Sequence, residues 1–273
     1  MSRMDKISET VAERSMARGQ VRPPRVLAFG HSHSQALQRA VVRRQRKGQP
    51  VPVSVYRQLK EKNGTQIGDT LFEEFLARIH DLNADDFVIS MIGGNQHAVL
   101  STIQHPRPFD FFMPSAPARE PPEGVELIPY RALADLFATL LRNGDGAVLK
   151  AIREATRARV IHVVPPPPKA DNAFIEKNHE TLFASKGIAN SGASSPELRL
   201  NFWKLQTRML SRLCKKLEIE LLLPPRVTVA DGFLRPNYYA NDATHANWRY
   251  GEQLIREIER RYLGGGSSAP GQA

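Results

Sequence analysis

The chain has 273 residues, 41% of them hydrophobic, and a formal net charge of +10 at pH 7. This length and apolar content suit one globular domain with its own core and exclude a chain too polar to fold. A single cysteine, Cys214, excludes an internal disulfide. No apolar run has the length of a membrane span or a secretory leader, so a cytoplasmic protein is expected.

The charge is spread unevenly. Eight Lys or Arg and no acid occur from Arg25 to Lys60, whereas Asp69 to Asp86 holds six acids and only Arg78. Such a basic stretch could serve an anionic partner. It lacks interleaved stacking aromatics and any nucleic-acid motif, so it reads as the solvated face of a helix and no nucleic-acid partner is expected.

In chain order, residues 1–24 form a basic arm, flexible or helical, that closes on Pro23 and Pro24. A single domain is expected over 25–262, and a Gly/Ser-rich flexible tail over 263–273. Arg25 to Phe29 is the first strand, and Gln35 to Lys47 is a helix ended by Gly48 and Pro50. Val51 to Tyr56 is β-rich but contains Pro52, which cannot donate to a ladder and so assigns this strand to a sheet edge. The stretch NGTQIGDT, Asn63 to Thr70, is turn-rich and leads into a helix from Leu71 to His80. Phe87 to Ile92 is a continuous apolar run, the mark of a strand covered on both faces. Residues 101–129 are rich in Pro and carry Phe109, Phe111 and Phe112, which reads as a loop insertion packed as a lid near Arg107.

Helices follow over Tyr130 to Arg142 and Gly146 to Ala158. The strand Val160 to Val164 is stopped by Pro165 to Pro168. Ser195 and Pro196 mark the start of a helix whose stripe Leu198, Phe202, Leu205, Met209, Leu213 belongs to the core. Ile219 to Leu223 is the fifth strand, and Tyr250, Leu254, Ile258 and Tyr262 line the last helix. Apolar strands alternating with helices predict an α/β, three-layer αβα fold with a five-stranded parallel sheet, in the flavodoxin-like order 2-1-3-4-5.

Polar residues then collect at the carboxyl ends of the strands, where open α/β sheets place their chemistry. The first strand delivers Ser32, the third Asn95, and the loop after the fifth Asp242 and His245. A Ser hydroxyl is too weak an acid to attack an ester unaided. His245 can take its proton, Asp242 can hold the imidazole tautomer, and Asn95 can donate to an oxyanion. Ser34, deeper in the turn, suits a helix cap. His80, His105, His162 and His179 have no partner pattern and read as structural or solvated.

These residues resemble the SGNH, or GDSL-like, serine hydrolases. Gly30, His31, Ser32 are similar to the family's Gly-Asp-Ser, with His31 in the place of Asp. Thr65 to Thr70 is similar to its second motif, with Gly68 at the glycine position. Gly93, Gly94, Asn95 match its Gly-x-Asn-Asp, with Gln96 in the place of Asp. Asp242 and His245 match its closing Asp-x-x-His. The resemblance spans Val26 to about Ile258, with the motifs in family order. It implies the SGNH fold and cleavage of carbohydrate or lipid esters without a cofactor or metal. It also implies a Ser32, His245, Asp242 triad and an oxyanion hole from the Ser32 and Gly68 amides plus the Asn95 side chain. His31 and His97 stand as candidate substrate contacts.

Two other readings compete. One is a metal-dependent phosphoesterase, since GHSH and GGNQH look like metallophosphoesterase phrases and His31, His33, His97, Asp242 and His245 could be assembled as ligands. Those phrases occur in reverse order, and that family's earlier metal motifs are missing. The other is an SGNH-like binding module without catalysis.

Overall fold

The computed structural model describes residues 22–62, 64–114, 120 and 123–264. The expected basic arm up to residue 21 and the tail from residue 265 lie outside the described residues.

Five parallel strands form the central sheet: β1 Val26–Gly30, β2 Ser54–Arg57, β3 Phe87–Met91, β4 Arg159–Val163 and β5 Glu220–Leu222. Their order is β2-β1-β3-β4-β5, as the apolar runs predict. β2 is an edge strand and begins at Ser54, beyond Pro52, whose nitrogen has no proton for the ladder.

Strand side chains alternate between faces. Val26, Ala28, Phe87, Ile89, Met91, Ile161 and Val163 therefore share one layer with α1 (Ser34–Arg46) and a C-terminal helix, Trp248–Ile258. Phe29, Val88 and Val160 point the other way, against α2 (Phe72–His80), a helix at Asp145–Glu154 and the C-terminal half of Pro196–Lys216. Phe29 stacks on Phe75 with ring centroids 4.4 Å apart, and neither is exposed. Burying a side chain of this size contributes roughly 1.5–3 kcal/mol relative to leaving it in water, so packing rather than helix propensity holds these layers.

In chain order further helices include α3 (Gln96–Ser101), α4 (Tyr130–Asn143), α5 (Asp145–Glu154), α6 (Pro196–Lys216) and α7 (Trp248–Ile258), with three short helices over 172–191 between α5 and α6. Ser195 caps α6 by accepting from the Leu198 amide, with Pro196 in the first turn, as its sequence predicts. Asn247 caps α7 by accepting from the Arg249 amide at 2.8 Å. Gly251 lets α7 lie directly on α1, because a Cβ there would come within 2.1 Å of the Ala36 carbonyl oxygen. That close approach anchors the loop preceding α7 to the helix that follows β1.

Two local readings change. The turn-rich stretch before α2 contains a hairpin, in which Lys60–Lys62 pairs antiparallel with Thr65–Ile67. The aromatics of the 101–129 insertion do not form a lid. Phe111 is fully buried, 5.0 Å from Phe202 of α6, and Phe109 lies 6.1 Å from the same ring. Together with α4 they build a third core, because the outer face of α6 is itself apolar and needs cover. No helix among the described residues is long and apolar enough to cross a membrane.

Candidate active site

The turn after β1 is shaped by its own side chains. The Ser34 hydroxyl donates to the His31 carbonyl at 2.6 Å and is fully buried, which leaves Ser34 a turn-closing role. Nδ1 of His31 accepts from the Gly93 amide at 3.0 Å and so ties the β1 turn to the end of β3. An imidazole in its neutral Nε2–H tautomer is thus the acceptor at this position. Burial, and then the charge of Lys60, lower the His31 pKa from its ordinary value. Gln96, just past Asn95, donates through Nε2 to Asp145 at the start of α5 at 2.6 Å.

Ser32 is exposed, and its hydroxyl makes no hydrogen bond among the described residues. It lines an open pocket of about 330 Å³ together with His31, Arg57, Gln58, Lys60 and Asn95. Gly68 follows Ile67, which lines the same pocket from the hairpin side. The Asp69 and Thr70 amides donate to the Arg57 carbonyl at 2.9 and 3.1 Å, which lays this segment along the end of β2. Gly68 has φ +94°, and a Cβ there would come within 2.1 Å of the Gln58 carbonyl oxygen, so both conformation and space require glycine. Among the described residues the Ser32 amide, the Gly68 amide and the Asn95 side-chain amide donate to no protein acceptor.

Asp242 and His245 form a closed motif. His245 Nδ1 lies 2.9 Å from Asp242 Oδ2, and the His245 amide donates to Asp242 Oδ1 at 2.7 Å. A second carboxylate meets the same ring nitrogen, with Glu180 Oε1 at 3.3 Å. Glu180 also accepts from the Thr244 hydroxyl at 2.5 Å and the Ala243 amide at 3.1 Å. Burial by itself would lower the His245 pKa, but the hydrogen bonds to Asp242 and then Glu180 outweigh it and raise it to about 9. The same contacts, against the opposing effect of burial, hold both carboxyls below their ordinary range.

Two further groups brace this motif. The His33 ring, next in sequence to Ser32, lies 4.8 Å from the His245 ring. His33 is buried with its Nδ1 unpartnered, and burial followed by the neighbouring His245 keeps it neutral. Lys169, 1% exposed, donates to the Ala240 carbonyl at 2.8 Å and to the Asp242 carbonyl. Its ammonium lies 3.8 Å from Asp242 Oδ1 and over the rings of Phe174 and Tyr239. Burial pushes its pKa down to about 8 against the pull of Asp242 and Glu180.

Of the five residues that could be assembled as metal ligands, only Asp242 and His245 fall in a cluster among the described residues, where Glu180 joins them with donor atoms within 4.8 Å of one another. They fit a metal poorly. The carboxylates already accept from the Ala243, Thr244 and His245 amides and the Thr244 hydroxyl, and the Lys169 ammonium stands beside Asp242.

The chain therefore brings Ser32, His31 and Asn95 to one pocket and joins Asp242 to His245 in the loop before α7; among the described residues no hydrogen bond links Ser32 to His245. His97 is 5% exposed, and its amide donates to Gln206 Oε1 at 2.8 Å while its Nδ1 lies 3.2 Å from the same oxygen, so it fastens α3 to α6. His162 is buried beside Ser90 Oγ at 3.2 Å, with burial lowering its pKa to about 4, a structural group as its lack of pattern predicts. Glu180, Lys169 and Asp145 escape sequence reading. No spacing rule ties them to His245 or Ser32, although a Lys directly after a four-proline stop is a sign of a residue held at a strand end.

No protein-family model matches the chain, and no curated protein matches it. Solved structures that it resembles include the periplasmic domain of a lipopolysaccharide acetyltransferase from Salmonella ser. Paratyphi A, at 14% identity and TM-score 0.48, covering 93% of this chain and 88% of that one. A GDSL-like lipase from Bacteroides thetaiotaomicron is 12% identical at TM-score 0.40, covering 94% and 97%. A carbohydrate acetylesterase from Sinorhizobium meliloti is 13% identical at TM-score 0.42, covering 88% and 99%.

Proposed function

We propose that this chain is a serine hydrolase of the SGNH type that cleaves an ester through an acyl-enzyme. Ser32 is the nucleophile, His245 the base and Asp242 its orienting partner. The oxyanion hole consists of the Ser32 and Gly68 amides and the Asn95 side chain. The observation that carries this reading is the Asp242–His245 pair, whose 2.9 Å contact at Nδ1 leaves Nε2 to exchange the nucleophile's proton.

In the reaction so read, Ser32 Oγ attacks the ester carbonyl carbon while its proton passes to His245 Nε2. The carbonyl oxygen gains the negative charge and meets the three unspent donors. Collapse breaks the bond to the alcohol, which takes the proton from Nε2. Water then repeats the sequence, and Ser32 leaves as the free hydroxyl. An acceptor alcohol in place of water would make the same acyl-enzyme a transferase intermediate. The arrangement favours hydrolysis or transfer over the binding-module reading, because a triad kept only as a scaffold has no need of three donors left without acceptors at one rim.

A fluorophosphonate probe tests the proposal. Labelling that is abolished by Ser32→Ala and by His245→Ala supports it. A wild-type protein that does not label, at any pH from 6 to 10, favours the binding module.

A further inference from the structure

The pocket beside Ser32 holds more positive charge than the proposed chemistry uses. Arg57 ends the edge strand β2, and Lys60 begins the hairpin that follows it. Neither forms an ion pair among the described residues. Among the described residues Arg57 Nε–H is buried without a hydrogen-bond partner. A buried donor on a charged group is costly to leave unpaired, so the site is built around an acceptor that the protein does not supply.

The nearby carboxylates are already committed. Asp69 accepts from the Arg57 amide at 2.8 Å, the Thr70 hydroxyl at 2.9 Å and Gln38 at 3.1 Å. Asp145 accepts from Gln96 at 2.6 Å. His31 adds no charge of its own at neutral pH, because burial, then Lys60, lower its pKa from 6.5. Lys60 is itself partly desolvated, which lowers its pKa despite the opposing charge of Asp145. The pocket's 330 Å³ is the volume of roughly eleven waters, room for a short carboxylate- or phosphate-bearing chain beside the ester.

Building on the hydrolase reading, we propose that the pocket selects an ester that carries an anionic group. Arg57 and Lys60 bind that carboxylate or phosphate while the carbonyl lies against Ser32 and Asn95. Arg57 offers the fork of donors that matches such a group, and Lys60 adds a point charge at the rim.

Two matched pairs of substrates test this and tell the sources apart. Mono-4-nitrophenyl glutarate and its methyl-capped diester place or remove charge on the acyl side. An acetylated sugar phosphate and the acetylated free sugar do so on the alcohol side. In at least one pair, kcat/KM for the anionic member should exceed that of the neutral one by tenfold or more, mainly through KM. That ratio should collapse toward unity in Arg57→Gln/Lys60→Gln and with added salt, and remain in Arg39→Gln, which removes an exposed charge elsewhere on α1. Lys60→Gln alone, at an exposed position, gives a partial collapse if the double variant folds poorly. Calorimetric titration of Ser32→Ala with the same pairs reads the charge preference without turnover. Equal kcat/KM within both pairs, or equal affinities in the titration, overturns the proposal. Charge-selective binding by a protein that turns over neither pair upholds the anion pocket and overturns the hydrolase reading instead.

Discussion

On the Asp242–His245 side of the rim, nearly every polar atom is already paired. Asp242 meets the amides of Thr244 and His245, the His245 ring and the Lys169 ammonium, and Glu180 meets Ala243, Thr244 and the same ring. On the Ser32 side the reverse holds, with the Ser32 hydroxyl and amide, the Gly68 amide, the Asn95 side chain and the Arg57 Nε all without an acceptor among the described residues. A rigid, satisfied network fixes where a proton is held. Unspent donors need no rearrangement before meeting charge that a substrate brings or develops. In the proposed reaction the two sides divide the work, one holding the base and the other receiving the ester.

If the sides act as one unit, cutting either should remove nearly everything. Ser32→Ala and His245→Ala are each expected to lower kcat by roughly 10⁴–10⁶, with the double variant little worse. Near-additive losses in steady-state kinetics would separate the two sides. Asp242→Asn keeps the shape of the pair but lets the amide favour the wrong tautomer, and kcat should fall by about 10⁴. Asn95→Ala cuts only the receiving side. It should raise the barrier by about 3 kcal/mol with KM little changed, and a pure KM effect would remove Asn95 from the oxyanion hole.

The smallest expected effect, and the one that sharpens the division most, concerns Glu180. With the His245 pKa near 9, kcat/KM should rise with pH and level off above that value, because only the neutral ring is a base. Glu180→Gln removes one of the two carboxylates, so the rise should move to lower pH while the plateau changes less than tenfold. An unshifted profile would mean that Asp242 alone sets the base. Stability responds with a definite sign. A His pKa raised on folding contributes stabilisation that is full below its unfolded value near 6.5 and is lost as pH climbs through about 9. Glu180→Gln should therefore reduce the difference in Tm between pH 6 and pH 10.

Much of the fold is legible in local patterns. Solid apolar runs such as FVISM mark a strand covered on both faces, Pro52 marks the edge, and Ser195-Pro196 marks a helix start, each because backbone chemistry acts over a few residues. The phenylalanines at 109–112 read as a lid because apolar residues in a long loop must be covered, but their cover is α6 rather than the pocket. Periodicity reports how much of a segment is buried and leaves the partner open. The candidate triad stands nearer the legible end, since Asp242 and His245 are three residues apart and Ser32 sits at a strand's end.

Residue order and spacing are enough to fix the alternating layers, the strand order and the polar residues at each strand's carboxyl end, because those follow from side-chain period and turn chemistry. The second carboxylate on His245, the buried Lys169 that clasps its loop and the unpaired Arg57 Nε emerge from folding alone. Each depends on which distant groups share a desolvated volume. Charge there is set by neighbours in space, and those neighbours lie up to dozens of residues away along the chain.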